Sequence, residues 1–396
     1  MRDKQIQRLI SLENKKQKQT INLIASENFV SKDVLKALGS VFTNKYAEGY
    51  INKRYYGGVK YIDQLEKVVK ERALKLFQLS EKKWDVNVQP YSGAIANLAI
   101  FSALVPIGEK IMAMDLNMGG HLSHISNVSF TSKLWKRVSY GVNKKTEKLD
   151  YNEIFKIAKK EKPKLIIAGY SSYSRIINFK KFKKIADDVN AFLLVDMSHF
   201  AGLVAGKVYP SPFKYADVVM TTTQKTLRGP RGALIFASKK KFNNNLTIAD
   251  AINKAVFPGL QGGPHTNTIA AIGVCLYEAL QPNFKKYAQQ VVINTKTLAN
   301  ELQKYGWKII SGGTDTHLFL MDTISKGISG KDASNILERH GIIVNKNVLP
   351  FDLRAPNDPS GIRIGTAAVT TQGMKKNDMK KLAKKINDLL MNAIRK

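Results

Sequence analysis

Between about residues 86 and 240, short apolar runs alternate with stretches of helical character, and this alternation constrains the fold more than any other feature. The runs at 164–168, 191–195, 218–220 and 233–237 are compact and rich in Val, Ile and Leu. They leave no polar face for solvent, so they predict a mostly parallel sheet covered by helices on both sides. Upstream, Ile62, Leu65, Val69, Ala73 and Leu76 recur at spacings of three and four and predict a helix. Val86, Asn87 and Val88 read as a strand, and 95–104 as the helix after it. Residues 1–60 are polar and irregular and form no independent core. Over the last 120 residues the style changes. A helix leads to a strand at 316–321, a helix at 331–340 and a strand at 342–344. A last amphipathic helix aligns Met379, Leu382, Ile386, Leu389 and Leu390. This portion predicts a smaller α+β domain.

Composition excludes several classes. With 396 residues, 44% apolar and 9% aromatic, the chain is globular rather than disordered. No apolar run approaches the roughly 18–20 residues of a membrane span, and residues 1–20 lack the apolar core of a secretory leader. The single cysteine, Cys275, permits no disulfide within the chain and predicts a reducing, cytoplasmic compartment. The six histidines and one cysteine show no metal-ligand spacing, so no metal site is expected. Charge is the unusual feature: 63 basic against 31 acidic residues give +32. The basic residues are 51 Lys and only 12 Arg, spread along the chain, whereas Arg is the preferred reader of phosphate and base edges. A compositional bias accounts for this pattern better than a nucleic-acid surface does, and no nucleic-acid partner is expected.

The chemistry concentrates at strand ends. Asp196 closes the apolar run 192–195, His199 follows three residues later, and Lys225 follows the strand-like 217–223. Carboxyl ends of strands are where open α/β sheets hold ligands. Taken singly, Asp196 reads equally well as a helix cap or ion-pair partner, and Lys225 as one surface lysine among many. Together, an acid and a lysine at neighbouring strand ends suit pyridoxal phosphate. The lysine attaches the cofactor, and the acid keeps its ring nitrogen protonated. Ser92, Gly93 and Ala94, between a strand and a helix, offer the phosphate a helix start. The glycine loop at 259–264 and His121 after Gly119 and Gly120 are further candidates.

The chain resembles serine hydroxymethyltransferases through eleven collinear segments. They are L-I-A-S-E-N (23–28), T-N-K-Y-A-E-G-Y (43–50), R-Y-Y-G-G (54–58), N-V-Q-P-Y-S-G-A (87–94), G-G-H-L-S-H (119–124), V-D-M-S-H-F-A-G-L (195–203), T-T-T-Q-K-T-L-R-G-P-R-G (221–232), F-P-G-L-Q-G-G-P (257–264), S-G-G-T-D-T-H-L (311–318), V-N-K-N (344–347) and S-G-I-R-I-G-T (360–366). The resemblance implies an α/β, aspartate-aminotransferase-like pyridoxal-phosphate fold of type I in an obligate homodimer. It implies an N-terminal arm and dimerisation segment at 1–75, a large cofactor domain at 76–277 and a small domain at 278–396.

The resemblance also implies roles. Lys225 would attach the cofactor, Asp196 pair with its ring nitrogen and His121 stack on the ring. Ser92, Gly93, Ala94, Tyr46, Gly262 and Gly263 would hold the phosphate, with Tyr46 and the glycine loop coming from the neighbouring subunit. Ser171 and His199 would contact the phenolic oxygen. Arg363, assisted by Ser26, would clamp the amino-acid carboxylate. Glu48, Tyr56 and Tyr55 would act at the reacting centre, with Glu48 moving the proton. Leu116, Gly120, Leu122 and Asn347 would contact tetrahydrofolate, the co-substrate. Three positions depart from the family pattern. Gln224 stands where His is usual, Ile95 where Gln is common, and 355–360 lacks the usual phenylalanine-valine-threonine stretch. Two other readings stay open at this stage: a folate-independent aldolase of β-hydroxy amino acids, and a basic nucleic-acid-binding protein on a retained enzyme fold.

Overall fold

A computed structural model describes residues 1–243 and 245–395. Its centre is a seven-stranded sheet. Across it run Trp84–Asn87, Ala233–Ser238, Val218–Thr222, Phe192–Asp196, Leu165–Gly169, Lys110–Met114 and Lys136–Tyr140. Ala233–Ser238 is antiparallel to both its neighbours, and the remaining pairs are parallel. The strands at Leu165–Gly169, Val218–Thr222 and Ala233–Ser238 are buried at every position, as continuous apolar runs require. The fold is α/β with a mostly parallel sheet, as expected from the sequence.

Parallel strands direct their carboxyl ends to one edge, and this positions the site. Gly169, Asp196 and Thr222 end three adjacent strands there. The helix Gly93–Leu104 starts at the same edge, where the Ser92 hydroxyl caps it by accepting from the Ile95 amide. Apart from Asn97 and Ser102 that helix is apolar, and Ala96, Ala99, Ile100, Phe101 and Leu104 are buried on its length.

The strands Lys308–Ile309, Leu318–Asp322, Gly361–Gly365 and Asn345–Asn347 form a second, antiparallel sheet. The helices Pro282–Lys304, Gly330–Arg339 and Lys376–Ile394 enclose its core of Leu298, Trp307, Phe319, Ile364, Leu382 and Ile386. Ile21–Asn22 pairs in parallel with Ile342–Ile343, and Leu23 enters the same core. The helix Lys4–Gln19 has no buried residue and exposes Ile6, Leu9, Ile10 and Leu12. No described helix is long and apolar enough to cross a membrane.

Three five-residue strands lie where the sequence pattern pointed to none. Lys110–Met114 is rich in Met and Ala, which favour helix by propensity. Lys136–Tyr140 is an edge strand opening on two exposed basic residues. Gly361–Gly365 begins on glycine and buries a charge at Arg363, which reads as a polar loop. The strand expected at 316–321 begins at Leu318 instead. The Thr314 hydroxyl accepts from the Thr316 amide and donates to the Leu318 carbonyl, which holds 314–317 in a turn.

Candidate active site

Lys225 lies three residues beyond its strand, 7% exposed, and its Nζ donates to Thr222 Oγ1 at 2.8 Å. Burial pushes the amine down to about 8; Asp196 opposes the shift, and the cations Arg363 and Arg231 add to it. A buried lysine lowered this far is a ready nucleophile. Asp196 is buried at the end of the neighbouring strand. Its Oδ2 accepts from His124 Nε2 at 2.7 Å and Asn97 Nδ2 at 3.2 Å, and its Oδ1 from the Ser198 amide at 3.0 Å. Burial alone would raise this carboxyl, but the bonds and charge of His124 and the Ser198 amide hold it well below the usual range. The carboxylate is therefore ionised in a dry setting.

Above these groups opens a cavity of about 430 Å³, lined among others by Ser26, Ser92, Gly93, Ala94, His121, Ser171, His199, Gln224, Lys225 and Arg363. Gly93 is required by space, since a side chain there would meet the Thr222 methyl at 2.6 Å. The first-turn amides at Gly93 and Ala94 have no carbonyl of their own helix to bind. His121 Nδ1 accepts from the Ser123 amide at 3.1 Å, and burial pushes the ring down to about 4, so it is neutral at pH 7. Its flat apolar face is available for stacking. His199 Nδ1 lies 3.2 Å from Nε2 of His317. Burial lowers both rings, His317 to about 3, so this pair is uncharged too.

Arg363 enters from the small sheet. Its Nη1 donates to the Ser171 carbonyl at 2.9 Å and its Nη2 to Asn345 Oδ1 at 2.8 Å, while its buried Nε has no acceptor among the described residues. Burial lowers its pKa to about 10, which leaves it a cation at neutral pH. A fixed guanidinium with an unpartnered N–H, facing a cavity, suits a carboxylate.

The other expected residues lie elsewhere. Tyr46, Glu48, Tyr55, Tyr56, Gly262 and Gly263 do not line the Lys225 cavity. They form a second cluster, with the Tyr46 and Tyr56 rings 5.0 Å apart. The Tyr46 ring lies so close to Gly263 that a methyl there would meet it at 3.2 Å, and one on Gly262 would meet Glu48 Oε1 at 3.0 Å. Tyr46, Tyr55 and Tyr56 are exposed. The charge of Glu48, before burial, raises the Tyr46 phenol. This cluster is fastened to the cavity rim. Gln261 accepts from the Tyr91 amide at 3.0 Å, and the Tyr91 hydroxyl donates to the Gly263 carbonyl at 2.7 Å.

Among the expected folate contacts, Leu116 and Leu122 are exposed. Gly120 is buried, its α-carbon against the backbone at Met114 and Asp115. Asn347 Oδ1 accepts from Ser172 Oγ at 3.2 Å.

Several participants had no role in the sequence reading. Thr222 stands three residues before Lys225, and His124 three after His121 in an already notable segment. Asn97 is one helical turn beyond Gly93, a spacing that could have found it. Asn345 becomes visible only through its register opposite Arg363.

These residues fit pyridoxal phosphate. A buried amine, a carboxylate held ionised, a helix start and a neutral imidazole face one edge of the sheet, and an orphaned guanidinium N–H awaits an anion. Comparison with protein-family models matches residues 1–386 to serine hydroxymethyltransferase. The chain belongs to the serine hydroxymethyltransferase family. Its fold is the type I pyridoxal-phosphate fold, and its activity is the interconversion of serine and glycine with tetrahydrofolate. Pyridoxal phosphate is the cofactor and tetrahydrofolate the co-substrate. The aldolase and nucleic-acid readings give way to this one.

Proposed function

We propose that Lys225, Asp196 and Arg363 carry the serine–glycine reaction in this chain and that two copies share each active site. When bound, pyridoxal phosphate supplies an electron sink that weakens one bond at the α-carbon of the amino acid. Lys225 would provide the point of covalent attachment, and Thr222 Oγ1 accepts from its Nζ when the amine is free. Asp196 keeps a proton on the ring nitrogen. His121 stacks on the ring, Ser92, Gly93 and Ala94 receive the phosphate, and Ser171 and His199 face the phenolic oxygen. Arg363 holds the substrate carboxylate, with Ser26 beside it. This fixes which bond at the α-carbon lies along the ring's π system, an orientation effect worth several kcal/mol in favourable cases. Leu116, Gly120, Leu122 and Asn347 contact the folate.

Sharing rests on one observation: the Tyr46–Glu48–Gly263 cluster stands outside its own chain's Lys225 cavity and exposes its aromatic residues. Glu48 moves the proton of the serine hydroxyl in the partner's site, with Tyr55 and Tyr56 beside it, and Tyr46, Gly262 and Gly263 complete the partner's phosphate cradle. The arm 1–75 serves dimerisation, 76–277 the cofactor and 278–396 the substrate side. The single buried Cys275 supports a reducing, cytoplasmic setting.

Hybrid dimers test the proposal. Lys225→Ala and Glu48→Gln homodimers are each inactive. A hybrid carrying one of each holds one complete site and recovers about half the native activity, as two-fold symmetry requires. A hybrid as inactive as its parents would show that sites are not shared.

A further inference from the structure

At the opposite end of the large sheet from Lys225 lies a second cleft, of about 760 Å³. Three chain segments bring five lysines to it. Lys82 and Lys83 precede the strand Trp84–Asn87, Lys214 precedes Val218–Thr222, and Lys239 and Lys240 follow Ala233–Ser238. All five are exposed. Their backbones are tied together: the Lys239 amide donates to the Lys83 carbonyl at 2.8 Å, and the Ser238 amide to the Asp217 carbonyl at 3.1 Å.

Of the five lysines, Lys240 alone has a carboxylate partner among the described residues. That partner, Asp217, is buried and is shared between Lys240 at 2.8 Å and Lys183 at 3.8 Å. Among the described residues, no carboxylate is within ion-pair distance of Lys82, Lys83, Lys214 or Lys239. On open helix faces this chain pairs lysines with carboxylates one turn away, as in Lys183–Asp187 and Lys384–Asp388, both at 2.6 Å. Ser238 adds an independent sign of a ligand. It lines the cleft, it is 4% exposed, and its hydroxyl has no hydrogen-bond partner among the described residues. Buried hydroxyls are otherwise almost always satisfied.

We propose that this cleft binds a small anion carrying two or more phosphates, either a free polyphosphate or the phosphates of a nucleotide. Lysine ammonium groups act on phosphate as compact point charges, and several converging on one cleft favour a multiply charged ligand over a single carboxylate. Phe77, Trp84 and Phe213, packed edge to face or tilted at 5.3–5.4 Å, give the cleft an apolar wall beside the lysines. A nucleoside has room to lie there.

The holoenzyme, whose catalytic phosphate site is filled by its cofactor, is titrated calorimetrically with inorganic tripolyphosphate and with ATP at physiological salt. The variant Lys83→Gln/Lys214→Gln/Lys239→Gln is compared with Lys156→Gln/Lys159→Gln/Lys160→Gln, which removes the same charge from an exposed helix face. The cleft variant is expected to weaken binding about tenfold or more and the control less than about twofold, because bulk charge acts weakly through salt. Serine turnover stays unchanged in both. ATP binding more tightly than tripolyphosphate assigns the nucleotide, and equal affinity assigns the free polyphosphate. Equal losses in the two variants, or no binding by the native holoenzyme, overturn the proposal.

Discussion

His124 and Asp196 share a 2.7 Å hydrogen bond deep in the large domain, the imidazole Nε2 donating to the carboxylate Oδ2. Both side chains are buried, and His124 Nδ1 has no partner among the described residues, so the imidazole's one hydrogen bond there goes to this carboxylate. His124 thereby acts through Asp196 as a positioning residue. His124→Ala leaves the carboxylate short of a donor in a dry site, where a bond to a charged group is worth about 1.5–3 kcal/mol. Pyridoxal-phosphate affinity is expected to fall about tenfold or more, with part recovered in His124→Asn. Absorbance titration of the apoprotein measures it, and an affinity unchanged in His124→Ala would remove the residue from the site.

Lys225 gives the apoprotein a defined pH response. Its amine is pushed down to about 8 from an ordinary value of 10.5. At pH 7 about a tenth of the amine is then neutral, against roughly one part in 3,000 for a free lysine. The rate of covalent cofactor uptake should rise about tenfold per pH unit up to about 8 and then level off. Stability follows with a definite sign. Between about 8 and 10.5 the unfolded chain binds the extra proton, so the burial penalty is full below that window and is relieved as pH rises through it. The stability deficit of the apoprotein relative to Lys225→Met should accordingly shrink from pH 8 to 10.5. Uptake that is flat with pH below 8 would contradict the lowered amine.

How much of this was legible in the sequence depends on whether the signal was local. Asp196 and Lys225 each follow an apolar run, so their place at strand ends can be read from the chain alone. The partners that tune them cannot. Asn97 is 99 residues from Asp196, and Asn345 meets Arg363 only through strand register. The Gly361–Gly365 strand was missed because a buried charge interrupts its apolar pattern, and that charge is the functional group. The second cluster follows from family likeness, but its place outside the lining of the Lys225 cavity is a property of packing alone.

Arg363 should act on substrate affinity. Its guanidinium is fixed from two sides by Ser171 and Asn345, and removing a charged contact from a desolvated site typically costs about 2–5 kcal/mol. Arg363→Ala is expected to raise the KM for serine by about thirtyfold or more, with cofactor affinity unchanged. Asn345→Ala removes one anchor and keeps the charge, so its effect should be smaller and of the same kind. Near-native serine affinity in Arg363→Ala would assign the carboxylate to another residue.

Gln224 separates geometry from proton transfer. It lines the Lys225 cavity and also the adjoining cavity of about 440 Å³ reached by Glu13 and Lys16 of the N-terminal helix. Its Oε1 is buried and has no hydrogen-bond partner among the described residues. An amide can orient a neighbouring group and exchange hydrogen bonds with it, but it has no proton to give or take near neutrality. A histidine could do all three. General acid–base help is typically worth about 10²–10⁴ in rate, so Gln224→His reads out which role the position serves. With the adjacent amine already lowered by burial, the site needs no second titrating group beside it, and a hydrogen-bonding amide suffices. Gln224→His should therefore change turnover by less than about tenfold, well short of that range, and leave the pH profile unaltered. A gain of about 10² or more, with a new titration near 6.5, would mean that a proton is moved there.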